Sequence, residues 1–80
     1  MPVVFRYKGI RFFFYSNEGN PREPLHIHAL GADGEAKFWL YPNVRIAECI
    51  GFDRRMQAEL IRVVETHRDE IERYWNDYFS

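Results

Sequence analysis

The sequence predicts an α+β domain: an antiparallel sheet of four to five strands in ββββ(β)α order, with one long C-terminal helix packed on one face. Three observations predict it. Apolar residues alternate with a period of two through most of the first half of the chain, from Val3 onward. Short turn signals separate consecutive alternating runs: Gly9 marks a tight turn or a bulge, and the segment "GADG" at 31–34 closes a hairpin. From Asp53 onward the apolar spacing changes to three and four residues.

Taken in order, residues 3–8 place Val3, Phe5 and Tyr7 on one side and Val4, Arg6 and Lys8 on the other, a strand that Gly9 ends. Residues 10–15 continue with Ile10, Phe12 and Phe14 against Arg11, Phe13 and Tyr15. Both sides of this second strand are largely apolar, so both are expected to be covered. The segment "SNEGNPREP", residues 16–24, collects Asn, Gly and two Pro and reads as a loop. A third strand follows over 26–31 and a fourth over 35–41, stopped by Pro42. Residues 44–50 carry Val44, Ile46, Glu48 and Ile50 at a period of two, which fits either a short edge strand or an irregular approach to the helix. Asp53 is a suitable N-cap for that helix, and Met56, Leu60, Val63, Val64, His67, Ile71, Tyr74, Trp75 and Tyr78 form its apolar stripe. About 25 residues at about 1.5 Å each would reach on the order of 38 Å. The closing "YWNDYF" is therefore expected to overhang the sheet and expose Trp75, Tyr78 and Phe79.

With 80 residues the chain holds one domain, residues 1–80. Hydrophobic residues make up 46% and charged residues 29%, a globular composition, while the 18% of aromatics is high for so small an interior. Some rings are expected on a surface that a partner covers. A net charge of −1 argues against a broadly basic nucleic-acid binder but leaves room for a local patch. The lone cysteine, Cys49, permits no internal disulfide. The N-terminal "MPVVFRYKGIRFFFYS" lacks a secretory pattern, and no run nears the roughly 18 apolar residues of a membrane span. A cytoplasmic location and no membrane partner are expected.

The segment "LHIHAL", residues 25–30, carries the chemistry. Alternation puts His26, His28 and Leu30 on one face and Leu25, Ile27 and Ala29 on the other. The aliphatic face suits the helix, so the histidines are expected opposite, near Phe13, Tyr15, Lys37 or Trp39. Residues two apart on a strand lie about 6 to 7 Å apart, close enough to share a phosphate, a substrate proton or a metal ion. Imidazole can serve as base, acid or ligand near neutral pH. Three readings stay open: satisfied structural histidines, an acid–base or phosphate-contact pair, and a metal site. No cofactor is expected from this motif; zinc would need further ligands, for which Glu23, Glu35 or a dimer mate are the nearest candidates. His67 falls in the helix stripe, on the other side of the sheet, and reads as a histidine bonded to a backbone carbonyl. Arg54 and Arg55 in the first helical turn oppose the macrodipole unless an anion binds there; the alternative is a pair of solvated arginines. Arg6, Lys8, Arg11 and Lys37 are candidates for a basic stripe interleaved with aromatics, the arrangement that single-stranded RNA contacts use; ordinary decoration of an exposed sheet is the competing reading.

The stretch "MPVVFRYKGIRFFFYSNEGNPREPLHIHA", then "KFWLYP", then the helix ending in "YWNDYF" resembles the small bacterial proteins of the DUF4160 family, over nearly the whole chain. Pro24, His26, His28, Lys37, Phe38 and Trp39 match its recognisable motif. Many members carry Pro-Pro-His-Phe-His where this chain has Glu23, Pro24, Leu25, His26, Ile27 and His28. The resemblance implies no particular reaction. It implies a gene pair with another small protein, of the toxin–antitoxin kind.

The expected function is thus a component of a two-protein toxin–antitoxin-type module acting on RNA, working as a homodimer or with a small cognate partner. If it is an enzyme, it is a small ribonuclease-type toxin. His26 and His28 would be its acid–base or phosphate-contact residues, and Arg6, Arg11, Lys37 and Trp39 its substrate contacts. The alternative is a non-catalytic interaction or metal-binding module whose histidines organise an interface.

Overall fold

A computed structural model describes residues 2–16 and 23–79. Five strands, β1 (Val3–Tyr7), β2 (Ile10–Phe13), β3 (His26–Gly31), β4 (Gly34–Trp39) and β5 (Arg45–Ile50), are followed by α1 (Arg54–Thr66) and α2 (Arg68–Tyr78). Every strand pairs antiparallel with its sequence neighbour, so the sheet is a meander ordered β1-β2-β3-β4-β5. Residues 44–50 thus resolve as an edge strand. The predicted loop at 16–24 lies mostly outside the described residues.

Both helices cover one face. Phe12, Ile27 and Phe38 from the three central strands pack with Leu60, Val64 and Ile71 from the helices, all fully buried. The β1–β2 turn needs positive φ at both central positions, Lys8 (50°) and Gly9 (78°), the geometry whose twist matches that of the flanking strands. Asp53 caps α1 as expected, accepting from the Met56 N–H at 2.8 Å.

Two register slips change which side chains face where. Val3 pairs with Phe13 and Phe5 with Phe12, which leaves Val4 as an extra residue that turns into the core. On β5, Lys37 pairs with Glu48 but Phe38 pairs with Ile46, which makes Ala47 the extra residue. Strict alternation places Glu48 and Ile50 with Ile46 on the core side. The bulge instead sends them to the open face and turns Cys49 inward, next to the core.

The single long helix is corrected to two. His67 has φ −98° and ψ 11°, its backbone N–H donates to the Val63 and Val64 carbonyls, and its ring Nδ1 donates to Val63 O at 2.8 Å. The ring also stacks on Phe5 at 3.9 Å between centroids. His67 is thus the carbonyl-bonded histidine its sequence position suggested, and the residue at which the two helices meet. Ile71 N–H then donates to His67 O at the start of α2. The end of the chain does not overhang as expected, because its rings pack on the core. Trp75 is 3% exposed, and Phe79 packs on Phe14 and Trp75; Tyr78 remains exposed.

Tyr7, Lys8 and Glu59 tie β1 to α1. The Tyr7 hydroxyl donates to the Glu59 carboxylate, and Lys8 Nζ lies 2.7 Å from it. Hydrogen bonds from Lys8 and Tyr7 hold the Glu59 carboxyl below its ordinary range. The hydrogen bond to Glu59 raises both Tyr7 and Lys8. A carboxyl depressed in the folded state adds stability above its unfolded value of 4.5, and that stability is lost as pH falls through the folded value. The raised Tyr7 and Lys8 groups add stability that is lost as pH rises through their folded values, above 10. Glu59→Gln is expected to flatten both the acid limb below pH 4.5 and the alkaline limb in a series of urea midpoints taken against pH, while an unchanged profile would show that the cluster is too solvated to matter.

Candidate functional site

The sheet face away from the helices carries the predicted residues in register. Cross-strand partners share a face, so each ladder row can be read across it. One row runs Arg6, Arg11, Leu30, Glu35, Ile50; the next runs Phe13, His28, Lys37, Glu48; a third holds His26, Trp39, Arg45. All six predicted site residues, His26, His28, Arg6, Arg11, Lys37 and Trp39, therefore belong to one face.

The two histidines have different surroundings. His28 is half-buried, stacked on Phe13 at 5.6 Å and met edge-on by Tyr15 at 4.7 Å. His26 has no exposed surface at all. It is enclosed by Trp39 (5.5 Å), by Trp75 from α2 (5.2 Å) and by His28 itself (5.1 Å), and its Nδ1 donates to Pro24 O at 2.9 Å. Trp75 also packs edge-on against Phe14 of the helix-side core, so α2 closes the end of the sheet and reaches the histidines from there. The donated hydrogen bond fixes the ring and its tautomer. His26 is in position to orient His28, whereas His28 is the imidazole a ligand can reach.

Lys37, directly opposite His28, holds its ammonium 4.4 Å above the Trp39 ring and 3.9 Å from the Glu23 carboxylate. Cation–π contact with a half-buried Trp restrains the long side chain near His28. Arg6 and Arg11 face each other directly, a like-charged cross-strand pair that an anion between them would stabilise. Arg45 is committed to its own loop through the Tyr41 and Asn43 carbonyls.

Between these side chains lies a shallow hollow of about 200 Å³ lined by Phe13, Tyr15, His28, Lys37, Glu48 and Ile50, among others. Glu48 and Ile50 were not among the predicted site residues. The β5 bulge that delivers them has no Gly or Pro to announce it in "RIAECI"; a small residue, Ala47, at mid-strand is the only trace. Arg54 and Arg55 are exposed at the start of α1, away from this hollow. Arg55 instead lines a separate groove with Lys8, Asp33 and Glu59.

Among the described residues, no three His, Cys, Asp or Glu side chains gather to hold a metal ion. No helix among them is long and apolar enough to cross a membrane. No curated protein and no solved structure matches the chain significantly. The family described as domain of unknown function, DUF4160, matches residues 9–76. With that match over most of its length, and with Pro24, His26, His28, Lys37 and Trp39 gathered at one end of one sheet face, the chain belongs to the DUF4160 family.

Proposed function

We propose that this protein is the RNA-acting member of a toxin–antitoxin-type pair, and that the open sheet face is its working surface. The observation that carries this reading is the half-buried His28 in the hollow, with Lys37 directly opposite and the Arg6–Arg11 pair in the adjacent row. An imidazole and a restrained cation beside a double-arginine anion contact suit a phosphodiester. Tyr15, 42% exposed at the rim, offers a face on which a base can stack. The excess of cations is local and small: the chain carries −1 overall, yet this face holds Arg6, Arg11, Lys37 and Arg45 against Glu35, Glu48 and the Glu23 carboxylate beside Lys37.

Induction of the wild type in a bacterial host is expected to arrest growth, and His28→Ala, at an equal soluble level, is expected to relieve the arrest. His28 is the informative position because His26 is sealed in the fold and its loss would confound function with stability. Harmless growth with both proteins, or arrest indifferent to His28, would sink the reading.

A second reading is favoured by Ile50, 69% exposed beside the hollow on an edge strand. A homodimer or a small cognate protein covering that residue would make the face an interface. Ile50→Asp would then reduce the particle mass in solution without changing the unfolding midpoint.

A further inference from the structure

Glu48 lies directly opposite Lys37, and Lys37 directly opposite His28. Neighbouring strands are about 4.8 Å apart, so His28 and Glu48 stand about 10 Å apart at the backbone, with the cation between them. All three side chains line the same hollow. Glu48 reaches this face only because Ala47 is bulged out of register, a local irregularity of the kind that re-aims side chains at sites.

In-line cleavage of a phosphodiester requires a proton acceptor on one side of the phosphorus, a proton donor on the other, and positive charge over the non-bridging oxygens. Two hydrogen bonds of about 2.8 Å, one on each side of a phosphorus and its two in-line oxygens, span a distance of the same order as the His28–Glu48 separation.

We propose that Glu48 is the general base and His28 the general acid of an RNA-cleaving row, with Lys37 stabilising the phosphorane. This rests on the open face being an RNA-contact surface. The direction of transfer follows from the chemistry of the two groups: a carboxylate can only accept the 2′-hydroxyl proton, whereas an imidazole can carry one to the leaving oxygen. Glu48 takes the proton of a ribose 2′-hydroxyl, and that oxygen forms a bond to phosphorus. The bond from phosphorus to O5′ breaks, the electron pair stays on O5′, and O5′ takes the proton of the His28 imidazolium. The products are a 2′,3′-cyclic phosphate and a 5′-hydroxyl end, with no water or other reactant consumed. The substrate class is single-stranded RNA, because the step uses the 2′-hydroxyl and because unpaired bases can stack on Tyr15.

The charged and titratable groups facing the row come from several strands, and the Glu23 carboxylate, 3.9 Å from Lys37 Nζ, is among them. Lys37 faces both groups from β4. Glu35 and Arg45 flank the Glu48 row, while Tyr15 and His26 adjoin His28.

The test compares wild type, Glu48→Gln, Glu48→Asp and His28→Ala on a single-stranded RNA oligonucleotide and its all-2′-deoxy counterpart, with RNA affinity and unfolding midpoint measured for each. The wild type is expected to release a cyclic phosphate from RNA alone, with a bell-shaped pH profile of kcat/KM. Glu48→Gln is expected to lose about 10²- to 10⁴-fold in rate together with the acidic limb, at unchanged affinity and midpoint. Glu48→Asp restores that limb. A Glu48→Gln protein that cleaves at the wild-type rate with both limbs intact overturns the proposal and leaves Glu48 as a cross-strand partner of Lys37. RNA binding without cleavage by the wild type overturns the chemistry but spares the contact surface. Absence of binding overturns the surface reading as well.

Discussion

Gly51→Ala is expected to cost about 2–5 kcal/mol, from backbone strain and overpacking together, and so to remove much of the stability of the fold. A domain of this length holds about 4–12 kcal/mol in total. Gly51 has φ +94°, a conformation that an L side chain adopts only under strain, and its added Cβ would lie 2.3 Å from the Asp33 carbonyl oxygen and 2.8 Å from Gly34 Cα. The approach is mutual, since a Cβ on Gly34 would meet the Ile50 carbonyl oxygen at 2.4 Å. Backbone faces backbone on both sides, so relief requires the β3–β4 turn to move away from the link between β5 and α1. Gly9 supplies the control. Its φ is +78°, yet nothing lies within 4 Å of its added Cβ, so Gly9→Ala bears the conformational term alone, on the order of 1–2 kcal/mol. Urea denaturation of the two variants separates the contributions. Equal losses would mean that the close approach of the two glycine turns contributes nothing beyond φ.

That junction also shows why part of the molecule could be read in the sequence and part could not. Local alternation was enough to place Leu25, Ile27 and Ala29 against the helices and His26, His28 and Leu30 opposite, because pleating alone decides it. Gly9 narrowed the end of β1 to a tight turn or a bulge, and the structure makes it a turn with positive φ at Lys8 as well. The bulges at Val4 and Ala47 were not readable, since each is settled by the neighbouring strand and neither carries a glycine or proline. Their effect is large all the same: one brings Val4 into the core, and the other exchanges Cys49 for Glu48 and Ile50 on the open face. The break at His67 was hidden because the apolar spacing runs on unbroken from Val64 through His67 and Ile71 to Trp75. What marks the break there is a side-chain bond to Val63 O and a stacking partner, Phe5, sixty-two positions away. That the six candidate residues share one face could be read from alternation along their strands. The difference in burial between His26 and His28 could not, because it depends on where α2 places Trp75.

Trp75→Ala is the second substitution with a large expected effect, about 3–5 kcal/mol for loss of a buried indole. Trp75 is 3% exposed and touches Phe14, Phe79 and His26 at ring separations of 5.0, 4.5 and 5.2 Å. Truncation would open a cavity between the helix-side core and the histidine row. Trp75→Phe keeps a ring there and is expected to recover most of the loss. The consequence for the site is separate from the consequence for stability. With the indole gone, His26 becomes accessible from the α2 side, and its ring, which meets His28 edge-on at 5.1 Å, is no longer held from behind. Under conditions where Trp75→Ala remains folded, RNA affinity set by Arg6 and Arg11 is expected to persist while any process that depends on His28 weakens. Unfolding midpoints, RNA titrations and the imidazole proton resonances of His26 and His28 together read these effects. A loss within about 0.5 kcal/mol, the range of an ordinary surface substitution, with unmoved His26 resonances, would mean that α2 does not seal the row and that His26 is held by its bond to Pro24 and by Trp39 alone.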